Sequence, residues 1–305
     1  MSDCAFCTGK MEPIKRTSRK QMLTEYREMF GVLFPPEVLE TNFNFDTITS
    51  LCCMQCGTIG FTPQILGNSA YYNHLSKTLP WYYASERWEY PIALKLLNRE
   101  KVAAFLEIGC GSGHFLKRMR GEGLEGHGYD IEPDSVRSLQ DQGFLIHSSL
   151  NGSLGMYDAI AMFQVLEHFA DPCDFLLKIA SNLRSGGAFL ISTPVAPSCT
   201  AFSDNPFLYP PHHQWLPTKE GFKGLARRLG FICESVQYEP AYPFQLGQLE
   251  YGLRKRFELN WGMKRWFGRL PVADKLAEVM FRIGVRLKCN WAQVGHTTLV
   301  TLRKC

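Results

Sequence analysis

The segment FLEIGCGSGHFL, residues 105–116, constrains this chain more than any other stretch. A short apolar run leads directly into glycines at 109, 111 and 113 and then into residues that suit a helix. That order predicts a buried strand, a tight turn and a helix start, with backbone able to pass close to a ligand. A dinucleotide fingerprint would need a further glycine at 114, where this chain has His114. A phosphate-cradling P-loop would need Gly-Lys-Ser/Thr, and none follows. Glu107, just ahead of the turn, would repel a phosphate. The next strand ends at Asp130, 21 residues beyond Gly109, where a carboxylate can accept hydrogen bonds from ribose hydroxyls.

From residue 104 onward strand and helix patterns alternate. GHGYDI, FLIHSS, YDAIAMF, AFLISTP, FICESVQYE and HTTLVTLRK read as the later strands. DPCDFLLKIASNLRSGG reads as a helix with Asp171 at the N-cap, Pro172 at N1 and Gly186 and Gly187 ending it. TKEGFKGLARRLG predicts another, with Phe222, Leu225 and Leu229 on one side. A helix ending near KLLNRE presents Trp88, Ile92 and Leu96 at i, i+4, i+8, and Pro91 is tolerated in its first turns. This alternation predicts an α/β fold, an open and mostly parallel sheet covered by helices on both faces.

Glu-Ile-Gly-Cys-Gly-Ser-Gly at 107–113 resembles the first motif of class I S-adenosylmethionine-dependent methyltransferases, and GYDIEP with Asp130 resembles their second. YDAIAMFQVLEHFADP and LRSGGAFLISTP are similar to later segments of the same superfamily, so the resemblance covers about 104–239 plus the final strand. It implies a Rossmann-like sheet of seven strands that binds S-adenosylmethionine. It places Glu107, Gly109, Gly111 and Gly113 near the methionine part, Asp130 and Ile131 at the ribose, and Ser149 and Leu150 beside the adenine. Phe163, Gln164 and His168 follow the fourth strand at the same edge, and Tyr82, Tyr83 and Arg87 are candidates to close over the cofactor's carboxylate end.

Five of the eleven cysteines fall in residues 1–60. Cys4-x-x-Cys7 and Cys53-x-x-Cys56 supply four thiolates, enough for one tetrahedral structural zinc, with Cys52 as an adjacent alternative to Cys53. Neither pair opens a helix in a thioredoxin-like pattern, which argues against a redox motif. Four thiolates leave no open position for catalysis. The opening MSDCAFCTGK lacks a signal-peptide pattern, and no apolar run reaches the roughly 18 residues of a membrane span. The expectation is a cytoplasmic protein in which clustered cysteines bind metal. An amino-terminal zinc module ahead of such a domain is similar to the sugar C-methyltransferases and their relatives in polysaccharide and natural-product pathways.

YPPHHQW, residues 209–215, follows the fifth strand at the sheet edge where ligands of open α/β sheets bind. Adjacent side chains diverge and only Asp204 lies near in sequence, so His212 and His213 predict no metal site. One histidine is expected to face the acceptor as a base while the other packs outward, with Tyr209 assisting as acid or hydrogen-bond donor. His168 in VLEH is either a second candidate or a structural histidine bonded to backbone. Asn-Pro in DNPF, 204–207, resembles an amine- and base-methylation signature but stands after the wrong strand.

The resulting division is a cysteine-rich module over 1–60, an aromatic-rich cap over 61–103, a cofactor-binding domain over 104–239 with 295–305, and an insert over 240–294. The net charge is +4, yet from Gln245 onward 12 Lys/Arg face 4 Asp/Glu. That basic insert reads as two helices, the second opened by Pro271. Val272, Leu276, Val279, Ile283 and Leu287 share one face, with Arg282 and Arg286 on another. It is either the solvated face of a lid, a recognition surface for an anionic small-molecule acceptor, or a peripheral membrane contact over 250–288. The expected function is methyl transfer to carbon or oxygen of a small molecule such as a sugar nucleotide or secondary metabolite, without nucleic acid. The alternatives are an RNA methyltransferase that grips RNA through the zinc module, and a scaffold that binds the cofactor without catalysis.

Overall fold

A computed structural model describes residues 3–150, 155–196, 205–240 and 294–305. The basic insert with its two expected helices, Asp204, Cys199 and Cys289 lie outside the described residues. Two sheets organise the rest. The larger has seven strands: β4 (Phe105–Ile108), β5 (His127–Tyr129), β6 (Ile146–His147), β7 (Tyr157–Phe163), β8 (Leu183–Pro194), β10 (Phe231–Pro240) and β11 (Val294–Lys304). Their order is β10-β11-β8-β7-β4-β5-β6. β6, β5, β4, β7 and β8 run parallel, while β11 is antiparallel to both β8 and β10. This is the Rossmann-like methyltransferase fold expected from the alternation. β7 is apolar at every position but Asp158 because helices cover both its faces.

The helices follow the sequence signals with two informative departures. Asp171 caps α7 (Pro172–Ala180) by accepting from the Asp174 N–H, and Thr218 caps α8 (Lys219–Leu229), which ends at Gly230 with φ 71°. α7 stops at Ala180, however, and Gly186 and Gly187 lie inside β8, where Gly186 takes φ 73°. A glycine pair reads equally as a helix stop and as an irregular strand start. In α4 (Glu89–Arg99) the fully buried face is Tyr90, Ala93, Leu94 and Leu97. Trp88, Ile92 and Leu96 pack only against the edge of that core. The helix is rotated because Glu89 must reach inward, where its Oε1 accepts from the Ser192 hydroxyl at 2.8 Å.

The smaller sheet, β1 (Met11–Ser18), β2 (Thr47–Cys53), β3 (Ile59–Thr62) and β9 (Trp215–Leu216), is antiparallel in the order β1-β2-β3-β9. Residues 1–60, which show no strong periodicity, thus hold two strands and also α1 (Arg19–Phe30) and α2 (Pro36–Asn42). α3 (Ser69–Thr78) completes an aromatic core of Tyr26, Phe43, Phe61, Tyr71 and Phe207. β9 is the continuation of YPPHHQW, so the sheet that begins at the cysteines ends on the histidine loop.

Candidate functional site

The glycine loop between β4 and α5 (His114–Gly121) adopts left-handed backbone at all three glycines. A Cβ on Gly109 would stand 2.5 Å from Val165, and one on Gly113 2.5 Å from Leu139. Above Gly111 there is open space. The Gly111 N–H donates to Asp130 Oδ2 at 2.7 Å and the Glu132 N–H to Asp130 Oδ1 at 2.9 Å, so the carboxylate is braced with lone pairs to spare. Glu107 is buried with Oε2 unpartnered, and burial drives its pKa well above the usual carboxylate value. A free cradle, a braced carboxylate and an orphaned buried acceptor are what an S-adenosylmethionine with its ammonium and ribose hydroxyls would meet.

The remaining cofactor candidates divide. Arg87 is half-buried, and its charge acts on Glu107, Glu89 and Glu167. Ile131 is exposed beside Asp130. Ser149 is exposed, and Leu150 packs against the core. Phe163 is buried, and Gln164, with φ 60°, is pinned to β8 through its N–H to the Ser192 carbonyl at 2.8 Å. Tyr82 joins the histidines, its hydroxyl 2.6 Å from His212 Nε2.

Three histidines converge at the carboxyl ends of β7 and β8. Ring centroids of His168 and His213 are 5.1 Å apart, and those of His212 and His213 4.1 Å. His212 and His213 are both buried, at 9% and 6% exposure, so neither packs outward as the sequence suggests. Two further strands of backbone hold them there. The Gln214 N–H donates to the Glu167 carbonyl at 2.8 Å, and the Trp215 Nε1–H reaches the carbonyls of Phe169 and Ala170, each at 3.2 Å. Desolvation keeps all three rings neutral, with His168 lowered to about 4 and the other two well below the usual histidine value.

Tyr209 is not beside this cluster. Its hydroxyl accepts from Lys15 Nζ at 3.1 Å and its ring packs on Phe61, while its carbonyl accepts from the N–H groups of His212 and His213. Its carbonyl shapes the turn, and its hydroxyl meets Lys15 instead of the histidines. Two groups were hidden in the sequence. Glu167 lies 3.8 Å from His213 Nε2 through Oε1, and Tyr72 OH lies 3.0 Å from His168 Nδ1. Glu167 overturns the expectation that no carboxylate joins the histidines. It comes from the loop after β7, 46 residues from His213, where sequence spacing gives no signal.

The four cysteine sulfurs converge as well. Cys4 and Cys56 Sγ are 3.8 Å apart and Cys7 and Cys53 Sγ 3.4 Å, and all four lie within 4.8 Å of one another. At a Zn–S distance of ~2.3 Å a tetrahedron has edges of about 3.8 Å, so the set fits zinc with adjustments of about an ångström or less. Cys53, not Cys52, belongs to it: Cys52 Sγ faces the carbonyls of Cys53 and Gly57. Hydrogen bonding from Cys4 pulls the Cys56 thiol down to about 4, while the same contact pushes Cys4 far up.

Residues 81–236 match the family described as a methyltransferase domain, just over half of the chain. The chain belongs to that methyltransferase domain family and is an enzyme of this class. Among curated proteins it is 32% identical over 120 residues to a tRNA U34 carboxymethyltransferase of Pseudoalteromonas translucida, covering 35% of this chain and 37% of that protein. It is 30% identical over 121 residues to the Shewanella woodyi protein of the same name, covering 35% and 36%. The chain therefore spans only about a third of the length of these relatives. Among solved structures, an S-adenosylmethionine-dependent methyltransferase from Archaeoglobus fulgidus aligns with a TM-score of 0.47 at 18% identity, covering 70% of this chain and 94% of that one.

Proposed function

We propose that this protein transfers a methyl group from S-adenosylmethionine to a carbon or oxygen atom of a small-molecule acceptor, a sugar nucleotide or secondary metabolite being the class in view. The observation that carries the reading is the buried group of His168, His212, His213, Tyr82 and Glu167 at the sheet edge shared with the glycine loop. The cofactor, when bound, supplies the electrophilic methyl. The chain's own residues then have three tasks: to bind, to exclude water and to take the acceptor's proton.

Gly109, Gly111 and Gly113 give the cofactor its approach, Asp130 takes its ribose hydroxyls, and Glu107 with Arg87 faces its amino-acid end. Tyr82 and His212, 2.6 Å apart, form the proton path. Burial holds the His212 imidazole well below and the Tyr82 phenol well above their usual pKa values, so the two act as one relay in which the phenol passes its proton to the imidazole only as it takes the acceptor's. His168 and His213 flank that pair. The four thiolates of Cys4, Cys7, Cys53 and Cys56 hold a structural zinc that keeps the small sheet, and through β9 the histidine loop, in place.

The tRNA relatives favour RNA as a second acceptor class, through the shared domain alone. An RNA-gripping module should interleave basic and aromatic side chains on one face. Here Arg16, Arg19 and Lys20 are exposed around β1 and α1, whereas Tyr26, Phe43, Phe61 and Tyr71 are buried in the module's core. A scaffold without catalysis would not need ionisable groups gathered at this sheet edge, and five meet here: His168, His212, His213, Tyr82 and Glu167. Incubation with labelled S-adenosylmethionine and a panel of sugar nucleotides, followed by NMR location of the methyl, tests the reading. Label appearing on bulk tRNA and on no small molecule would replace it with the RNA alternative.

A further inference from the structure

We propose that Glu167, His168 and His213 bind a divalent cation at the acceptor site, separate from the four-thiolate zinc. One ligand atom from each of the three residues lies within 4.8 Å of the others, and Glu167 Oε1 is 3.8 Å from His213 Nε2. Donors on one ion at bond lengths of about 2.1 Å stand roughly 3.0 to 3.4 Å apart, so the Glu167–His213 pair needs closure by less than about an ångström and the whole set by less than about 2 Å.

Glu167 is 1% exposed, and neither carboxylate oxygen meets a donor at full hydrogen-bond geometry, although its own N–H and the Thr193 hydroxyl partly offset the cost of burial. Arg87 is felt by this carboxylate, yet it makes no hydrogen bond to it. A buried carboxylate so short of donors is suited to a cation. His168 is prepared in the manner of a metal ligand. Its Nδ1 lies 2.6 Å from the His212 carbonyl, which can only accept, and 3.0 Å from the Tyr72 hydroxyl, so the neutral ring carries its proton on Nδ1 and its lone pair on Nε2. His213 Nδ1 is likewise buried without a partner, leaving the ring's tautomer unclaimed by the protein.

The backbone holds the three residues as a rigid unit. The Glu167 carbonyl accepts from the Gln214 N–H, Gln214 Nε2 donates to the Ile65 carbonyl at 2.7 Å, and the His168 contact closes the other side. Two imidazoles and one carboxylate suit a borderline ion such as Zn2+, Fe2+ or Co2+ rather than Ca2+. Three protein ligands leave positions open, and an acceptor with two neighbouring oxygens, a vicinal diol or hydroxy-ketone, could occupy them. His212 and Tyr82 lie outside the ligand set, so the proton path remains available. The location of the ion beside the methyl donor rests on the proposed methyl-transfer reading; the ion binding itself does not.

The test uses the full chain without an affinity tag, stripped of all metal by a strong chelator under reducing conditions, then titrated with Co2+ and read by metal analysis and absorption. The expectation is two ions per chain. One gives sulfur-to-metal charge transfer from the cysteines, and the other only weak bands of a nitrogen and oxygen site. Glu167→Gln and His168→Gln should each remove the second ion, or weaken it at least ~10-fold, while charge transfer and the far-ultraviolet circular dichroism stay unchanged. One ion per chain at saturating Co2+ and Zn2+, or an unaltered second ion in Glu167→Gln, overturns the proposal. S-adenosylmethionine binding is measured on the same samples. Retained cofactor binding with no second ion sinks only the cation site, whereas a second ion without cofactor binding sinks only the methyl-transfer reading.

Discussion

Gly113, like Gly109, makes a demand on the cofactor loop that only glycine meets. Its φ of 70° is left-handed and its Cβ position is filled by Leu139 at 2.5 Å. Gly113→Ala should therefore destabilise the fold by about 1–3 kcal/mol, read from chemical denaturation, and weaken cofactor binding beyond that loss. Gly111, with open space above it, should show a smaller stability effect for the same change. At the acceptor side Tyr82→Phe removes the hydroxyl that meets His212 and leaves the ring in place. Turnover should fall ~10- to 100-fold with KM and melting temperature little changed; an unaltered kcat would remove Tyr82 from the proton path. The strand–loop–helix that carries Glu107 and the glycines, with Asp130 braced against it, was legible because local spacing along the chain encodes it. Glu167 and Tyr72 were not, because their meaning depends on a meeting between loops far apart in the chain. Tyr209 misled for the converse reason: proximity in sequence to His212 put its hydroxyl on the other side of the turn.

Among the elements, β9 is two residues long and yet joins the two sheets. Gly60 pairs with Trp215 and Ile59 with Leu216, and the Thr218 hydroxyl donates to the Cys56 carbonyl at 2.5 Å. Trp215 also packs edge-on against Phe6. Trp215→Ala should cost about 3–5 kcal/mol, and hydrogen exchange should speed up across 205–218 as well as in β3. Faster exchange confined to the mutated strand would break the proposed link between module and histidine loop. The carboxyl-terminal strand has its own brace, since Arg303 reaches Glu100 and Glu234, each at 2.8 Å. Hydrogen bonding to Arg303 holds the Glu100 pKa below its usual value. A depressed carboxylate adds stability above its unfolded pKa, near 4.3, and that part disappears as pH falls through the lower folded value. Arg303→Met should thus lower the melting temperature at pH 7 and narrow the gap to wild type below about pH 4. The strands were legible where burial on both faces leaves a continuous apolar run, as in β7. β9 was not, because two residues carry no period, and Gly186 and Gly187 were misread because glycine punctuates strands and helices alike.

At the scale of the whole molecule, the parallel sheet presents the ends of β4, β5, β7 and β8 on one side. The cysteine module reaches that side by lending a sheet to the loop after β8. Removing metal with a strong chelator should therefore lower the melting temperature and disturb the histidine loop, seen as faster exchange at 205–216, because Trp215 shares the core of the four cysteines. Intact protection there after metal loss would make the module an independent appendage. The alternation of elements and the paired cysteines were enough to indicate this architecture from the sequence, whereas the joining of the two parts required the register of β3 with β9. The most direct measurement of the central claim is calorimetric titration of the full chain with S-adenosylmethionine, beside the Asp130→Ala variant. The account predicts binding at one cofactor per chain, weakened at least ~10-fold when Asp130 is removed; no heat of binding to a zinc-loaded, folded chain would contradict it.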